Sequence, residues 1–328
     1  MKIFVWILLF LLVINVIAAL ITVFRKPRSI SSVLAWMMTL IFLPGIGFII
    51  YLFCGRGIDG QEVFKLSDDE KQMVQRIKEK VDIDNKKAGR DKRYDLLYDA
   101  KVLNRYFRNM DASPLAKRNS LQLFTDGQEK FQALFEDIRA AKETVHVEYY
   151  AFFNDTIGNQ FLDVLIEKLH EGVEVYLIYD PWGSPGANKK FFARYVDAGG
   201  KVAPFITSRD MIRKTRLNYH LHRKIVVIDG KIGWTGGFNV GDQYLNVTEK
   251  FGYWRDTHIR LVGTAVFSLQ EIFIMDWNAS VKYPEERMTY HEKYFKLPED
   301  HEVEQLSLQV VSDGPDSEEE ILKSGFVR

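Results

Sequence analysis

Between Tyr219 and Asn239 the chain reads Tyr-His-Leu-His-Arg-Lys-Ile-Val-Val-Ile-Asp-Gly-Lys-Ile-Gly-Trp-Thr-Gly-Gly-Phe-Asn, and few folds accommodate it. Branched apolar residues run up to Asp229-Gly230, a hairpin turn signal. The reading is a buried strand, a tight turn, a second short strand and a glycine turn. Residues two apart on a strand point to one face, so His222 and Lys224 should share a face. Gly236-Gly237 lets backbone approach a ligand closely, and Asn239 follows with an amide donor. An imidazole to attack, an ammonium to hold oxygens and an amide to complete the cradle suit an anionic phosphorus centre.

Elsewhere strands and helices alternate. Strands are expected at Thr144 to Phe152, Val173 to Asp180 and Val202 to Ile206. Helices are expected at Thr156 to Glu171, Asn188 to Ala198 and Thr264 to Ser280. Such alternation predicts an α/β fold whose mostly parallel sheet is covered by helices on both faces. Another strand is expected from Gly252 to Leu261, with Asp256 and His258 on one face. Asp256 is placed to orient the His222 ring. His258 and His220 read as structural. His146 and Glu148 read as a satisfied core pair, with the pocket wall as the alternative. The loop Ser208 to Arg216 has four cations and one anion and fits either a phosphate clamp or a solvated turn.

The ends have a different character. Ile3 to Phe24 and Val33 to Phe53 are apolar runs, each matching the ~20 residues of a membrane-crossing helix. The short linker between them predicts a two-helix hairpin, with Pro44-Gly45-Ile46-Gly47 kinking or breaking the second helix. Basic residues in the short flanks weakly favour a cytoplasmic catalytic part, on a multi-pass protein of the cell membrane. Ser67 with Glu70 forms a capping box that opens a helix running to Ile83. Lys86 to Arg118 holds ten Lys or Arg against four Asp, with aromatic residues interleaved. That is either a solvated amphipathic helix or a face for anionic lipid. Over the 328 residues Lys+Arg and Asp+Glu are both 44, so global charge selects no partner. The lone Cys54 excludes an internal disulfide framework, and no metal or cofactor is expected.

The spacing His222-x-Lys224-x4-Asp229-x6-Gly236-Gly237-x-Asn239 resembles the signature of the phospholipase D superfamily, with Gly237 where serine is usual. The stretch from Arg28 to Arg56 resembles the membrane hairpin of bacterial cardiolipin synthases. The resemblance implies catalytic roles for His222, Lys224 and Asp229, and substrate binding by Gly236, Gly237, Asn239 and Asp256. Asp229, opposite in parity to the other two, suits bracing of the turn or of Lys224. It also favours Asp256 over Glu249 as the carboxylate that orients the ring. It implies phosphatidyl transfer between two phosphatidylglycerol molecules through a phosphatidyl-histidine intermediate, with anionic membrane lipid as partner and no nucleic acid. A phospholipase D-type hydrolase, a membrane-tethered nuclease and an inactive half are the alternatives.

Leu121 to Gly127 returns in similar form as Leu308 to Gly314. The expected organisation is a membrane hairpin over 1–56, a basic helical linker over 57–120, a phospholipase D-like repeat over 121–300 and the start of a truncated second repeat over 301–328. A second histidine would then come from a second repeat or from a homodimer.

Overall fold

The structure, a computed structural model, describes residues 30–43, 45–54, 66–110, 114–205, 220–247, 252–314 and 321–327, with six single positions before residue 22. The first apolar run, the loop Ser208 to Arg216, and Glu249 lie outside the described residues, apart from those six helical positions in the first run. The chain forms two compact units, one of residues 64–206 and 220–312, the other of 1–63, 207–219 and 313–327.

The larger unit is built on one seven-stranded sheet. Its strands are β1 (Asn119–Phe124), β2 (Thr144–Tyr149), β3 (Glu174–Tyr179), β4 (Lys201–Pro204), β5 (Lys224–Ile228), β6 (Ile232–Gly236) and β7 (His258–Gly263), in the spatial order β1-β7-β6-β5-β2-β3-β4. β2, β3 and β4 are parallel. β5 lies antiparallel to β2, and β6, β7 and β1 continue antiparallel. The sheet is therefore mixed, not mostly parallel. The tight turn at Asp229-Gly230, with φ of 49° and 66°, can join only antiparallel neighbours.

Helices cover both faces, as the alternating pattern predicts. On one face pack α6 (Gly127–Ala140), α7 (Thr156–His170) and α8 (Lys189–Asp197), burying Phe131, Phe161 and Phe192 against Val147, Leu177 and Trp234. Each starts on a side-chain cap: Asp126, Asp155 and Asn188 accept amide hydrogens of the first turn. On the other face α9 (Val266–Ser280) and α3 (Asp68–Lys87) pack Phe273, Trp277, Val74 and Ile77 against Tyr176 and Ile178. The Ser67–Glu70 capping box is present, and α3 runs on to Lys87, past the expected end. Two helices follow it, α4 (Lys92–Leu96) and α5 (Tyr98–Asn109). Ala116 and Asn119 bridge Leu308 and Glu304, so part of the second Leu121-like segment lies antiparallel beside the lead-in to β1.

In the smaller unit, the apolar run Val33 to Phe53 does not form one helix. It forms α1 (Ile30–Phe42) and α2 (Ile46–Cys54), separated at Gly45, whose φ is +80°. The two fold back on each other, because the rings of Trp36 and Tyr51 stand 5.0 Å apart. A Cβ on Gly47 would come 2.6 Å from the Thr39 carbonyl oxygen, so only glycine allows this approach. At 1.5 Å per residue α1 rises about 20 Å and α2 about 14 Å, each short of a ~30 Å hydrocarbon core. Among the described residues no helix is long and apolar enough to cross a membrane. The last helix of this unit is α10 (Ile321–Val327).

Candidate active site

The central strands bring the expected residues other than Asp229 to one end of the sheet. β5 begins at Lys224, so His222 sits just outside the ladder in extended chain, not on the strand itself. The Tyr150 amide donates to the Arg223 carbonyl at 3.1 Å and ties that extension to the end of β2. The exposed ring of His222 lies 4.8 Å from the Tyr150 ring. The Lys224 ammonium stands 5.4 Å from the centre of the same ring and donates to the His222 carbonyl at 3.0 Å. Imidazole and ammonium thus share one aromatic wall, as their spacing predicts.

Their electrostatics differ. Lys224 is only 5 % exposed. Burial pushes its ammonium down to about 8, against the pull of the Asp256 carboxylate. Burial and the adjacent Lys224 charge hold His222 below the ordinary imidazole value, while Asp180 pulls it upward. A neutral imidazole beside a charged ammonium is the state that nucleophilic attack on a phosphate needs.

The glycine turn closes the site from the β6 side. The ladder pairs Tyr149 with Lys224 and Ile225 with Thr235, and one further step in that register sets Gly236 beside Lys224. Gly236 in turn pairs with His258. A Cβ there would lie 2.7 Å from His258 Nδ1, and one on Gly237 would overlap the Asp256 carboxylate. The serine usual at that second position would have no room in this arrangement. Asn239 is almost buried; its Oδ1 accepts from the Ala151 amide at 3.1 Å and its Nδ2 donates to the Tyr244 hydroxyl at 2.9 Å. One Nδ2 hydrogen remains for a ligand.

Two expected placements differ. Asp256 borders Lys224 and Gly237, and its carboxylate accepts from the Thr257 amide; the carboxylate acting on His222 is Asp180. Asp229 lies at the far end of β5, five residues or roughly 17 Å of strand from Lys224. Its carboxylate accepts from the amides of Lys142, Glu143 and Thr144 at 2.8–2.9 Å. It braces the start of β2 and the turn, and it does not reach Lys224.

Asp180, at the end of β3, is the residue that the sequence reading passed over. It is 2 % exposed. One oxygen accepts from the amides of Trp182 and Gly183, the other from the Leu221 amide at 2.9 Å. It therefore fixes the backbone one residue before His222. A carboxylate just past a parallel strand, where ligands of α/β sheets sit, was the available signal. Asp180→Ala should lower kcat by roughly 10- to 100-fold through misplacement of the ring. It should also move the acid limb of the pH profile downward, because the charge that favours imidazolium is gone. An unmoved acid limb would contradict this electrostatic link.

His258 and the pair His146 and Glu148 are all fully buried. His258 stays neutral under burial and the charges of Lys130 and Lys224, and among the described residues neither ring nitrogen has a hydrogen-bond partner. His146 and Glu148 lie on the opposite face. His146 bonds Gln270, and Glu148 stands with Asp276, which Arg223 engages. They are core groups but not the self-satisfied pair expected. Among the described residues no group of three or more His, Cys, Asp and Glu could hold a metal ion.

A mixed α/β sheet with an exposed histidine beside a buried lysine at one end of its central strands has groups suited to phosphate-ester chemistry. Comparison with known proteins narrows it. The family described as "Cardiolipin synthase, PLD-like domain" matches residues 134–265, and "Phospholipase_D-nuclease N-terminal" matches residues 13–56. A cardiolipin synthase of Listeria monocytogenes serotype 4b is 40% identical over 334 residues, covering 98% of this chain and 66% of that protein. The major cardiolipin synthase ClsA of Bacillus subtilis is 39% identical over 318 residues, covering 96% of this chain and 65% of that protein. Among solved structures, NucT from Helicobacter pylori overlays 50% of this chain and 99% of its own at 18% identity and a TM-score of 0.39. The chain belongs to the phospholipase D superfamily, within its cardiolipin synthase family. It spans about two thirds of the length of the curated relatives it matches.

Proposed function

We propose that the chain carries one histidine motif of a cardiolipin synthase, and that His222 is its nucleophile. An imidazole nitrogen of His222 bonds to the phosphorus of phosphatidylglycerol, and the bond from phosphorus to the glycerol oxygen breaks. Glycerol leaves with a proton, and a phosphatidyl-histidine remains. The glycerol hydroxyl of a second phosphatidylglycerol then attacks phosphorus, loses its proton and releases the ring, giving cardiolipin. Lys224 and the free Nδ2 hydrogen of Asn239 hold the phosphoryl oxygens where charge develops. Gly236 and Gly237 let Thr257, His258 and Asp256 close against the turn, and Asp256 keeps Lys224 charged. Proton transfer to the leaving glycerol falls to a second such motif, in the same polypeptide or in another copy.

The observation that carries this reading is the pairing of His222 and Lys224 on the Tyr150 wall, one exposed and one buried. The relatives' activity supports the choice of substrate. The apolar N-terminal segment, with Ile30, Leu34, Met38 and Phe42 exposed on α1, would hold the enzyme at a cell membrane where both substrates reside. A cytoplasmic face for the catalytic part belongs to the same proposal.

Purified protein in phosphatidylglycerol vesicles should release glycerol and cardiolipin in equal amounts. Phosphatidic acid as the main product would make the chain a hydrolase. The pH profile of kcat/KM follows from the two side chains. Activity rises as His222 loses its proton, below the ordinary imidazole range, and falls as Lys224 loses its own near pH 8. In Lys224→Arg the alkaline limb should move up by more than one pH unit; a limb still near 8 would remove Lys224 from the mechanism.

A further inference from the structure

At the other end of β1 from the site lies a cleft that the reaction does not use. Phe124, the last residue of β1, pairs with His258, whereas Asn119, its first, pairs with Gly263 roughly 17 Å away. The cleft opens just before Asn119. α3 forms one wall, α4 and α5 the other, and its volume is about 560 Å³. That is the size of a small-ligand site. Its floor is built: the Asn85 amide accepts from the Lys117 backbone at 2.8 Å and donates to the Leu115 carbonyl at 2.7 Å. A second cavity of about 400 Å³ adjoins it and shares Tyr94, Asn104 and Arg108.

The charge of this region is one-sided. Lys78, Arg108 and Lys117 line the main cleft against a single carboxylate, Asp82, and Arg105 lines the annex. Among the described residues Arg105, Arg108 and Lys117 meet no carboxylate within ion-pair distance. Arg118, next in sequence, is the contrast: it is buried between Asp84 and Asp300, so its charge is already met. Unopposed cations in a concave site focus the field on an anion. Asn104 supplies an independent sign. Its Nδ2 donates to the Tyr94 hydroxyl at 2.9 Å, while its Oδ1 is buried with no partner among the described residues. Turning the amide over keeps the Tyr94 bond, with the hydroxyl now donating, and puts an NH2 donor in the unpartnered position. The cleft then offers donors of the kind a phosphate accepts from.

We propose that this cleft is a second phosphate-binding site, separate from the His222 centre, held by Arg108, Lys117 and Asn104. Its ligand is a phosphate ester or free phosphate. A phospholipid headgroup as the source rests on the membrane reading above; the site itself does not.

The test uses the 328-residue chain in detergent micelles, with His222→Ala and Lys224→Met removing the reaction site. Calorimetric titration compares inorganic phosphate, glycerophosphoglycerol and micellar short-chain phosphatidylglycerol. At least one should bind, and Arg108→Gln with Lys117→Gln should weaken it tenfold or more, while Arg108→Lys keeps it within a few fold. Tighter binding of the micellar lipid than of both soluble ligands identifies a headgroup site. Equal or tighter binding of inorganic phosphate identifies a soluble-anion site. Absence of binding by all three, or equal affinity in the glutamine variant with its melting temperature unchanged, overturns the proposal. Turnover of the unsubstituted chain is measured separately, so loss of the synthase reading would leave this result standing.

Discussion

His222→Ala should reduce cardiolipin formation by at least about 10³-fold, to background, while the protein melts where the unsubstituted chain does. The nucleophile is the one group whose loss leaves no alternative covalent route, and removal of such a residue alone can cost as much as loss of the whole catalytic set. Stability should barely change. The ring is exposed, and among the described residues its one aromatic neighbour is Tyr150, so truncation opens no cavity. The measurement is initial-rate product formation, with a denaturing quench kept alkaline, because a phosphorus–nitrogen bond is acid-labile, and mass analysis for a phosphatidyl adduct on His222 in the unsubstituted chain. Undiminished turnover, or an adduct on another residue, would refute the assignment. His222→Asn should be equally inactive, because an amide can hydrogen-bond a phosphate but cannot attack it.

Asp229→Ala should produce the largest loss of stability among single changes near the motif, about 3–5 kcal/mol. Three backbone amides converge on its carboxylate, which is 8 % exposed. Hydrogen bonds to a charged group are each worth roughly 1.5–3 kcal/mol, and the Thr144 amide left behind would be buried without its partner. Its φ of 49° adds about 1 kcal/mol against alanine, since only glycine, asparagine and aspartate take the left-handed region readily. Asp229→Asn should fall between, keeping the backbone preference and one acceptor. The denaturant midpoint at unchanged slope measures the loss. Specific activity per folded molecule separates bracing from chemistry. A few-fold change supports the brace, whereas a 100-fold fall at full stability would return Asp229 to the catalytic set.

These two residues mark how legible the site was. The histidine and lysine stand two apart in a short segment, so their company needed only strand periodicity. The partners of Asp229 lie 85 to 87 positions away, and the Asp180 contact with Leu221 spans 41. No local pattern reports which carboxylate reaches which amide. The same holds for Asp256, which the chain order suggested for the ring and the fold sets beside Lys224. His258 reads as structural and is a buried core group, but a lone strand histidine gives no sign of the row it joins. That row passes across Tyr149, Lys224 and Gly236, and it exists only once β5, β6 and β7 are in register.

By itself, the order of residues determined the capped helix starts, the Asp229-Gly230 reversal, the alternation of strand and helix and the company of His222 and Lys224. Each depends on neighbours a few positions apart, through caps, turn dihedrals and the two-residue strand period. Tertiary structure alone decided the mixed direction of the sheet, the fold-back of the second apolar run and the identity of the carboxylate acting on His222. Those depend on which distant segments exclude water from one another, and on where a glycine permits two backbones to touch.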